Sequence, residues 1–155
     1  YFRKNFDQNV DEVDLYKEIE HINSYIEIEK ARFGDKLEIE YNIEEDIECK
    51  LPPLILQPLV ENAIKHGVLG KIEGGKVEII ARKNGIGTEL LVKDNGVGIP
   101  KDKLDSILEE RGTKEGIGLK NVNERLKNKY GSEYGLKIES ELNKGTIASM
   151  VIPKY

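Results

Sequence analysis

The sequence predicts an α+β fold, a two-layer sandwich in which a mixed, mostly antiparallel sheet packs against about three helices. Two hairpin patterns, at 76–93 and 136–152, place antiparallel strands side by side. Stretches with apolar residues at helical spacing lie before and between these hairpins. Strands and helices do not alternate regularly enough along the chain for a parallel, doubly wound sheet, so the two-layer arrangement fits better.

Composition narrows the classes of protein that the chain can represent. Its 155 residues are enough for one domain with its own core. A net charge of −5, with 34% charged residues, argues against a nucleic-acid partner bound through its backbone. The single cysteine, Cys49, excludes an internal disulfide and fits a reducing compartment. No run approaches the roughly 20 apolar residues of a membrane span, so we expect no membrane contact from these residues.

The first part of the chain predicts one long helix followed by one strand. Residues 1–13 are polar and weakly patterned, and we expect them to end an upstream helical or linker segment, with one domain covering 14–155. Apolar residues at near-helical spacing then predict an amphipathic helix from about Asp14 to Phe33, ending at Gly34. The alternation in 37–43 predicts a strand with one buried face, at or near a sheet edge.

The stretch Leu54-Ile-Leu-Gln-Pro-Leu-Val-Glu-Asn-Ala-Ile-Lys-His-Gly67 predicts a second helix, which begins between Pro53 and Leu56 because Pro58 is tolerated only in a first turn. Gly67 suits the left-handed position after a helix.

Three polar side chains of that helix could meet a ligand. Asn62 and His66 are four residues apart and share one face, with Lys65 beside them. An asparagine oxygen suits Mg²⁺, and lysine or histidine can meet phosphate oxygens. The alternative is a helix that simply ends in polar residues.

The rest of the chain predicts two hairpins, two helices and a lid. The first hairpin joins 76–83 to 87–93 around Asn84-Gly85, and the second joins 136–142 to 146–152. A short helix is predicted over 101–108, and a longer one is marked by Leu119, Val122, Leu126 and Tyr130 and ends at Gly131. Residues 103–115 offer few apolar anchors, so we expect a mobile lid there.

Two glycine-rich stretches follow the second helix, Asp94-Asn-Gly-Val-Gly-Ile-Pro100 and Gly116-Ile-Gly-Leu-Lys-Asn121. Gly96 and Gly98 remove side chains where the backbone must approach a ligand closely, although either could be only a turn glycine. Gly116 and Gly118 precede a helix, whose N-terminal N–H groups suit phosphates. The spacing does not fit a Rossmann fingerprint, because a third glycine and a preceding strand are missing.

These three stretches, in this order, resemble the ATP-binding domain shared by sensor histidine kinases, gyrase, the Hsp90 chaperones and MutL, which has the Bergerat fold. The second predicted helix, preceded by Tyr-Ile-Glu-Ile-Glu-Lys-Ala-Arg-Phe at 25–33, resembles the LytS/YesM class of sensor histidine kinases. The resemblance implies the catalytic domain of a two-component kinase, which binds Mg²⁺-ATP and donates the γ-phosphate to a histidine elsewhere in the receptor.

The resemblance also implies the roles of individual residues. Asp94 matches the aspartate that receives the adenine amino group, Thr146 matches the threonine beside it, and Asn62 matches the Mg²⁺ ligand. The alternatives are a turn-capping aspartate before Asn-Gly and an ordinary strand threonine. The implied ATP-binding residues are Asn62, Lys65, His66, Asp94, Gly96, Gly98, Gly116, Gly118, Leu119 and Thr146, with Lys114, Lys120 and Arg125 as further candidates for phosphate neutralisation.

The activity expected within this family is phosphoryl transfer to histidine. Members that hydrolyse ATP carry a glutamate four residues before the asparagine, and this chain has Pro58 there, which cannot act as a base. Neither His21 nor His66 has the family's phosphoacceptor context, so we expect no self-labelling. The implied partners are the dimerisation and phosphoacceptor domain of the same homodimeric, membrane-anchored receptor, with this domain cytoplasmic, and a response regulator. A nucleotide-dependent interaction module and a slow ATPase remain alternatives.

Overall fold

The computed structural model describes residues 12–109 and 117–154. Residues 1–11 of the predicted upstream segment, residues 110–116 of the predicted lid, and with them Lys114 and Gly116, lie outside the described residues. The strands are β1 (Val13–Asp14), β2 (Leu37–Ile43), β3 (Lys50–Leu51), β4 (Gly75–Lys83), β5 (Gly87–Asp94), β6 (Lys137–Glu141) and β7 (Gly145–Pro153). The helices are α1 (Leu15–Phe33), α2 (Leu56–Asn62), α3 (Lys101–Leu104) and α4 (Ile117–Tyr130).

Five of the strands form one mixed sheet in the order β2-β4-β5-β7-β6. The β2–β4 pair is parallel, and the other three pairs are antiparallel. The two predicted hairpins are β4–β5 and β6–β7, and β2 lies at an edge as expected. The short strands β1 and β3 form a separate antiparallel pair.

The hydrophobic core lies between the sheet and the layer formed by α1, α2 and α4. Along β5 the buried positions alternate with half-buried or exposed ones, as the pleat of a strand with one covered face requires. The same alternation holds along β7. Buried leucines and isoleucines of the three helices complete the core, among them Leu15, Ile22, Leu59 and Leu126. The predicted two-layer α+β sandwich is therefore confirmed.

A buried glutamate fixes the start of α2. Glu18 of α1 is only 4% exposed, and its carboxylate accepts hydrogen bonds from the backbone N–H groups of Leu54, Ile55 and Leu56 at 2.8, 2.9 and 3.1 Å. These N–H groups lie where a helix start lacks intrahelical partners, and a negative charge there also meets the positive end of the helix dipole. From the other side, Arg125 of α4 donates to the carbonyl oxygens of Pro53 and Leu54.

We expect Glu18→Gln to lower the free energy of unfolding by about 2 kcal/mol. Both carboxylate oxygens of Glu18 accept N–H groups, whereas the glutamine amide has only one acceptor oxygen, and its NH₂ group would face an N–H donor. Chemical denaturation of both proteins measures this difference. Glu20→Gln, an exposed position on the same helix, is the control and should change the free energy of unfolding by less than about 0.5 kcal/mol. Equal stability of the two variants would contradict the capping role.

Two predicted helices differ from the structure. The second does not end at a left-handed Gly67, whose φ is −95°. Instead, α2 continues as a wide π-helical turn over Ala63–Gly67 and a 3₁₀ turn over Val68–Gly70. The helix predicted over 101–108 is shorter and ends at Leu104. Turns follow, and Ile107 and Leu108 pack against the core, so the described part of the predicted lid is anchored.

In the part of the chain that the structure describes, no helix combines the length and the apolar character needed to cross a membrane.

Candidate functional site

The candidate site centres on Asp94, the last residue of β5. Asp94 pairs with Val77 of β4 on one side and with Thr146 of β7 on the other, so it occupies the middle of the sheet. Its position in the pleat directs it to the covered face, where it is only 6% exposed. A carboxylate is therefore held at the end of the central strand, beneath the helical layer.

Glycine residues allow the backbone to surround this carboxylate closely. The N–H of Gly96 donates to Oδ1 of Asp94 at 2.8 Å. A Cβ atom on Gly67 would lie 2.7 Å from the same oxygen, and one on Gly96 would overlap the backbone of Gly67. The N–H of Val97 also donates to the carbonyl of Gly67 at 3.2 Å. The end of the α2 segment and the first glycine-rich stretch thus meet at Asp94. A side chain at Gly67 would displace the Asp94 carboxylate, and one at Gly96 would displace the backbone of Gly67.

The last hairpin, β6–β7, packs against the other side of the first glycine-rich stretch. Gly98 has φ +76°, and a Cβ atom there would overlap the carbonyl oxygen of Glu141 in β6. The N–H of Asn143, in the turn between β6 and β7, donates to the carbonyl of Val97. Gly145 has φ +132°, and a Cβ atom there would overlap the carbonyl oxygen of Asp94. Three segments that are distant in the chain therefore converge at one end of the sheet.

Burial raises the pKa of Asp94 from its usual 3.8 to about 6, although the backbone N–H groups of Gly96 and Thr146 and the ammonium of Lys71 act in the opposite direction. Lys71 is held nearby because its Nζ donates to the carbonyl of Asn95 at 3.0 Å. At neutral pH the carboxyl is ionised and accepts hydrogen bonds, whereas mild acid converts it into a donor.

Thr146 belongs to a row of polar side chains that spans three strands. It lies opposite Asp94 across β5–β7 and opposite Ser140 across β6–β7. Thr146 is 8% exposed, and its hydroxyl lies 2.8 Å from that of Ser140. Ser140 had no role in the sequence interpretation, since a serine in an exposed-looking edge strand gives no signal of its own.

Asn62, Lys65 and His66 lie within the five residues that precede Gly67. Asn62 ends α2 and is half-buried, whereas Lys65 and His66 fall in the π-helical turn and are exposed. The Asn62 amide makes no side-chain hydrogen bond within the described part of the chain, so its oxygen is available to a ligand. π-Helical turns occur frequently at functional sites.

The second glycine-rich stretch is described only from residue 117 onward. Gly118 is exposed near the start of α4, and a Cβ atom there would touch Pro58 of α2 at 3.5 Å. Leu119 is buried in the core at 2% exposure, so any contribution to binding comes through its backbone or by shaping the floor of the site. Lys120 is half-buried, and its Nζ lies 3.9 Å from Oε1 of Glu124. Arg125 makes the two backbone hydrogen bonds beside α2 rather than facing solvent.

Residues 51–155 match the model of the family described as histidine kinase-, DNA gyrase B-, and HSP90-like ATPases. The chain belongs to this family. Residues 1–37 match a second model, described as histidine kinase. The ATPase match covers α2 and every strand of the site described above, while the histidine kinase match covers α1 and the residues upstream of it.

Relatives of this ATPase domain include sensor kinases. The chain is 44% identical to YwpD of Bacillus subtilis over 98% of its own length and 55% of that protein. It is 40% identical to the sensor protein LytS of Bacillus cereus, over 92% of the chain and 25% of LytS. It is also 40% identical to the sensor histidine kinase YpdA of Escherichia coli, over 99% of the chain and 27% of YpdA. The chain thus spans about half of one relative and about a quarter of the other two, and the predicted LytS resemblance is confirmed.

Solved structures of kinase catalytic domains share the fold. The catalytic domain of histidine kinase ThkA superposes with a TM-score of 0.71 at 24% identity, covering 92% of this chain and 96% of that one. The mycobacterial sensor histidine kinase MprB gives a TM-score of 0.66 at 19% identity, covering 92% and 95%. At these identities the similarity establishes the fold, and the Bergerat-type architecture predicted for the ATPase domain agrees with it.

Proposed function

We propose that this domain binds Mg²⁺-ATP and donates its γ-phosphate to a histidine on a separate phosphoacceptor domain, as the catalytic domain of a sensor histidine kinase. The proposal rests on the close packing of the Gly67 and Gly96 backbone around the Asp94 carboxylate. This packing holds a buried acceptor at the sheet end, directly beyond the helical segment that bears Asn62, Lys65 and His66.

Asp94 is assigned to the base of the nucleotide. Adenine has an exocyclic amino group that must donate its hydrogen bonds when it leaves water, and a buried carboxylate is a strong acceptor. Oδ1 already accepts the N–H of Gly96, which fixes the orientation of the carboxylate. Because Gly67 has no side chain, its backbone can lie directly against this carboxylate and help to hold it in place.

The phosphates are assigned to Asn62, Lys65 and His66, with Gly118 near the start of α4 and Gly116, which lies outside the described residues. Within the described residues no three histidine, cysteine or acidic side chains form a metal cluster. Mg²⁺ is usually held by one or two protein oxygens together with phosphates and water, and the amide oxygen of Asn62, which accepts no hydrogen bond from the described residues, would serve. When bound, Mg²⁺ neutralises charge on the phosphates. Lys65 and His66 would add further positive or donor groups there.

Transfer to histidine is favoured over hydrolysis because α2 carries no carboxylate at the position four residues before Asn62. Glu61 lies about 100° round the helix from Asn62 and accepts a hydrogen bond from the amide of Gln57. Pro58 lies four residues before Asn62 and packs beside Gly118 at the start of α4. A proline ring has no group that could activate water, whereas an acceptor imidazole is itself a nucleophile. Positioning and charge neutralisation then supply most of the catalysis.

The proposed partners are the phosphoacceptor domain of the same homodimeric receptor, which would be membrane-anchored with this domain in the cytoplasm, and a response regulator. The match of residues 1–37 to the histidine kinase family supports the first partner. The kinase ThkA, whose structure was solved in complex with the response regulator TrrA, supports the second by similarity of fold.

The test combines binding with phosphoryl transfer. Calorimetry should detect binding of ATP and ADP in the presence of Mg²⁺, and failure to bind at millimolar concentration would refute the proposal. With radiolabelled ATP the 155-residue chain alone should remain unlabelled, whereas a chain extended by the family's phosphoacceptor segment should form acid-labile phosphohistidine. Binding without any transfer by the extended chain would favour an interaction module, and steady phosphate release would favour a slow ATPase.

The pKa of Asp94 predicts that nucleotide affinity falls as the pH drops through about 6. The carboxylate accepts the adenine amino group only while ionised, so affinity should approach a tenfold loss per pH unit below that pKa. Calorimetry with ADP over a pH series measures the effect. Asp94→Asn has no such titration, and its remaining pH dependence isolates the contribution of the phosphates. Parallel pH profiles for the two proteins would contradict the assignment.

A further inference from the structure

The hydroxyl of Ser140 has three polar neighbours, and together they determine where its proton lies. The N–H of Ile99 donates to Oγ of Ser140 at 2.8 Å, and Oγ of Ser140 donates to the carbonyl of Gly145 at 2.9 Å. The third neighbour is Oγ1 of Thr146, at 2.8 Å. A hydroxyl group has one proton and two lone pairs.

Only one arrangement of protons makes all three hydrogen bonds. The amide of Ile99 can only donate and the carbonyl of Gly145 can only accept, so the Ser140 proton goes to Gly145. Thr146 must then donate its own proton to Ser140. The hydroxyl of Thr146 has no second proton, so on the side that faces Asp94 it can only accept a hydrogen bond.

We infer that Ser140 is a positioning residue that makes Thr146 an obligate acceptor, and that the pair thereby selects a base with an amino group at this position over a base with a carbonyl oxygen there. The inference rests on the proposed function and adds to it a determinant of base selectivity. Asp94, ionised at neutral pH, is also an acceptor, and it lies opposite Thr146 in the ladder. Two adjacent acceptors would receive the amino group of adenine, directly or through a water, and would repel the oxygen of hypoxanthine.

Burial and connectivity support this arrangement. Thr146 is 8% exposed, so water does not compete freely for its hydroxyl. Ser140 also ties Ile99, near the end of the first glycine-rich stretch, to the last hairpin. One side chain therefore fixes both the proton direction at Thr146 and the position of the loop that follows Asp94.

The experiment compares the affinities of ATP and inosine triphosphate, which carries an oxygen where ATP carries the amino group. The wild type should prefer ATP. In Ser140→Ala the Thr146 hydroxyl loses its acceptor and is free to donate to that oxygen, so the preference for ATP should fall about tenfold. Ser149→Ala, a serine of β7 whose position in the pleat directs it to the opposite face of the sheet, is the matched control and should keep the wild-type preference.

Two threonine variants test the same point independently of Ser140. Thr146→Val removes the acceptor and should lower the preference for ATP over inosine triphosphate. Thr146→Ser keeps the hydroxyl and should retain the wild-type preference. In the Thr146→Val background, Ser140→Ala should cause no further change in the preference, because the residue acts through Thr146.

A loss of affinity in Ser140→Ala that is equal for the two nucleotides would show a purely structural role and overturn the inference. An unchanged preference in Thr146→Val would do the same. In either case a wild type that binds ATP leaves the proposed function standing, whereas a wild type that binds neither nucleotide refutes the proposed function itself and the inference with it.

Discussion

Asn62→Ala is expected to weaken Mg²⁺-dependent ATP binding by about 10- to 100-fold, the effect of losing a hydrogen bond or ligand bond to a charged group. Stability should not fall, since the Asn62 amide makes no side-chain hydrogen bond within the described residues and alanine is the better helix former by up to about 0.7 kcal/mol. Calorimetry with and without Mg²⁺ measures the binding, and thermal unfolding measures the stability.

Asn128→Ala is the matched control for this experiment. Asn128 is exposed on α4, so the substitution brings the same gain in helix propensity at a position away from the proposed metal ligand. It should leave Mg²⁺-ATP affinity within about twofold of the wild type. If Asn62→Ala lost as much affinity without Mg²⁺ as with it, the amide would be contacting the nucleotide rather than the metal.

Asp94→Asn is expected to weaken the binding of every adenine nucleotide, ADP included, while leaving the domain at least as stable at neutral pH. The amide presents one acceptor and one donor, and the donor would face the adenine amino group. The expected loss is about 100-fold or more, as in sites that leave a buried polar group facing the wrong partner.

The stability of this variant follows from the pKa of Asp94. The folded-state pKa of about 6 lies above the usual value of 3.8, so the folded protein binds an extra proton between these two values. The stability contributed by the protonated form is complete below about pH 4 and is lost as the pH rises through about 6. At pH 7 the ionised side chain therefore costs up to about 3 kcal/mol, which the uncharged asparagine avoids. Urea unfolding at neutral and mildly acid pH should show the gain from Asp94→Asn shrinking on acidification.

Much of the fold could be predicted from local sequence patterns. Alternation in 37–43 marked β2 with the bounds that the structure has, because an edge strand with one covered face repeats every two residues. The end of α1 at Gly34, where φ is +59°, was predicted from the place of this glycine after the apolar periodicity of the helix. The parallel pairing of β2 with β4 has no local signature, because it is set by the path of the intervening α2 segment across the sheet.

The residue types of the candidate site could be predicted from the sequence, but the contacts and backbone geometry that explain them could be predicted only in part. Gly67 was interpreted as a helix-ending glycine, whereas the structure requires a glycine there because the Asp94 carboxylate occupies the position of a side chain. The π-helical turn that follows Asn62 is a local shift in backbone hydrogen bonding, and the sequence carries no pattern for it. Glu18 and Ser140 were missed because a glutamate in a charged helix and a serine in a strand are usually solvated, and only tertiary contacts show otherwise.

The convergence of Gly67, Asp94 and Gly145 at one point has a consequence for how the domain matures. These residues belong to segments that are distant in the chain, and the carboxylate is enclosed only where the α2 segment, the central strand and the last hairpin meet. Contacts between residues so far apart in the chain carry a large entropy cost of loop closure. A ligand that recognises the enclosed carboxylate would therefore distinguish finished molecules from unfinished ones, and at a concentration 100 times its dissociation constant it would stabilise the finished form by about 2.7 kcal/mol.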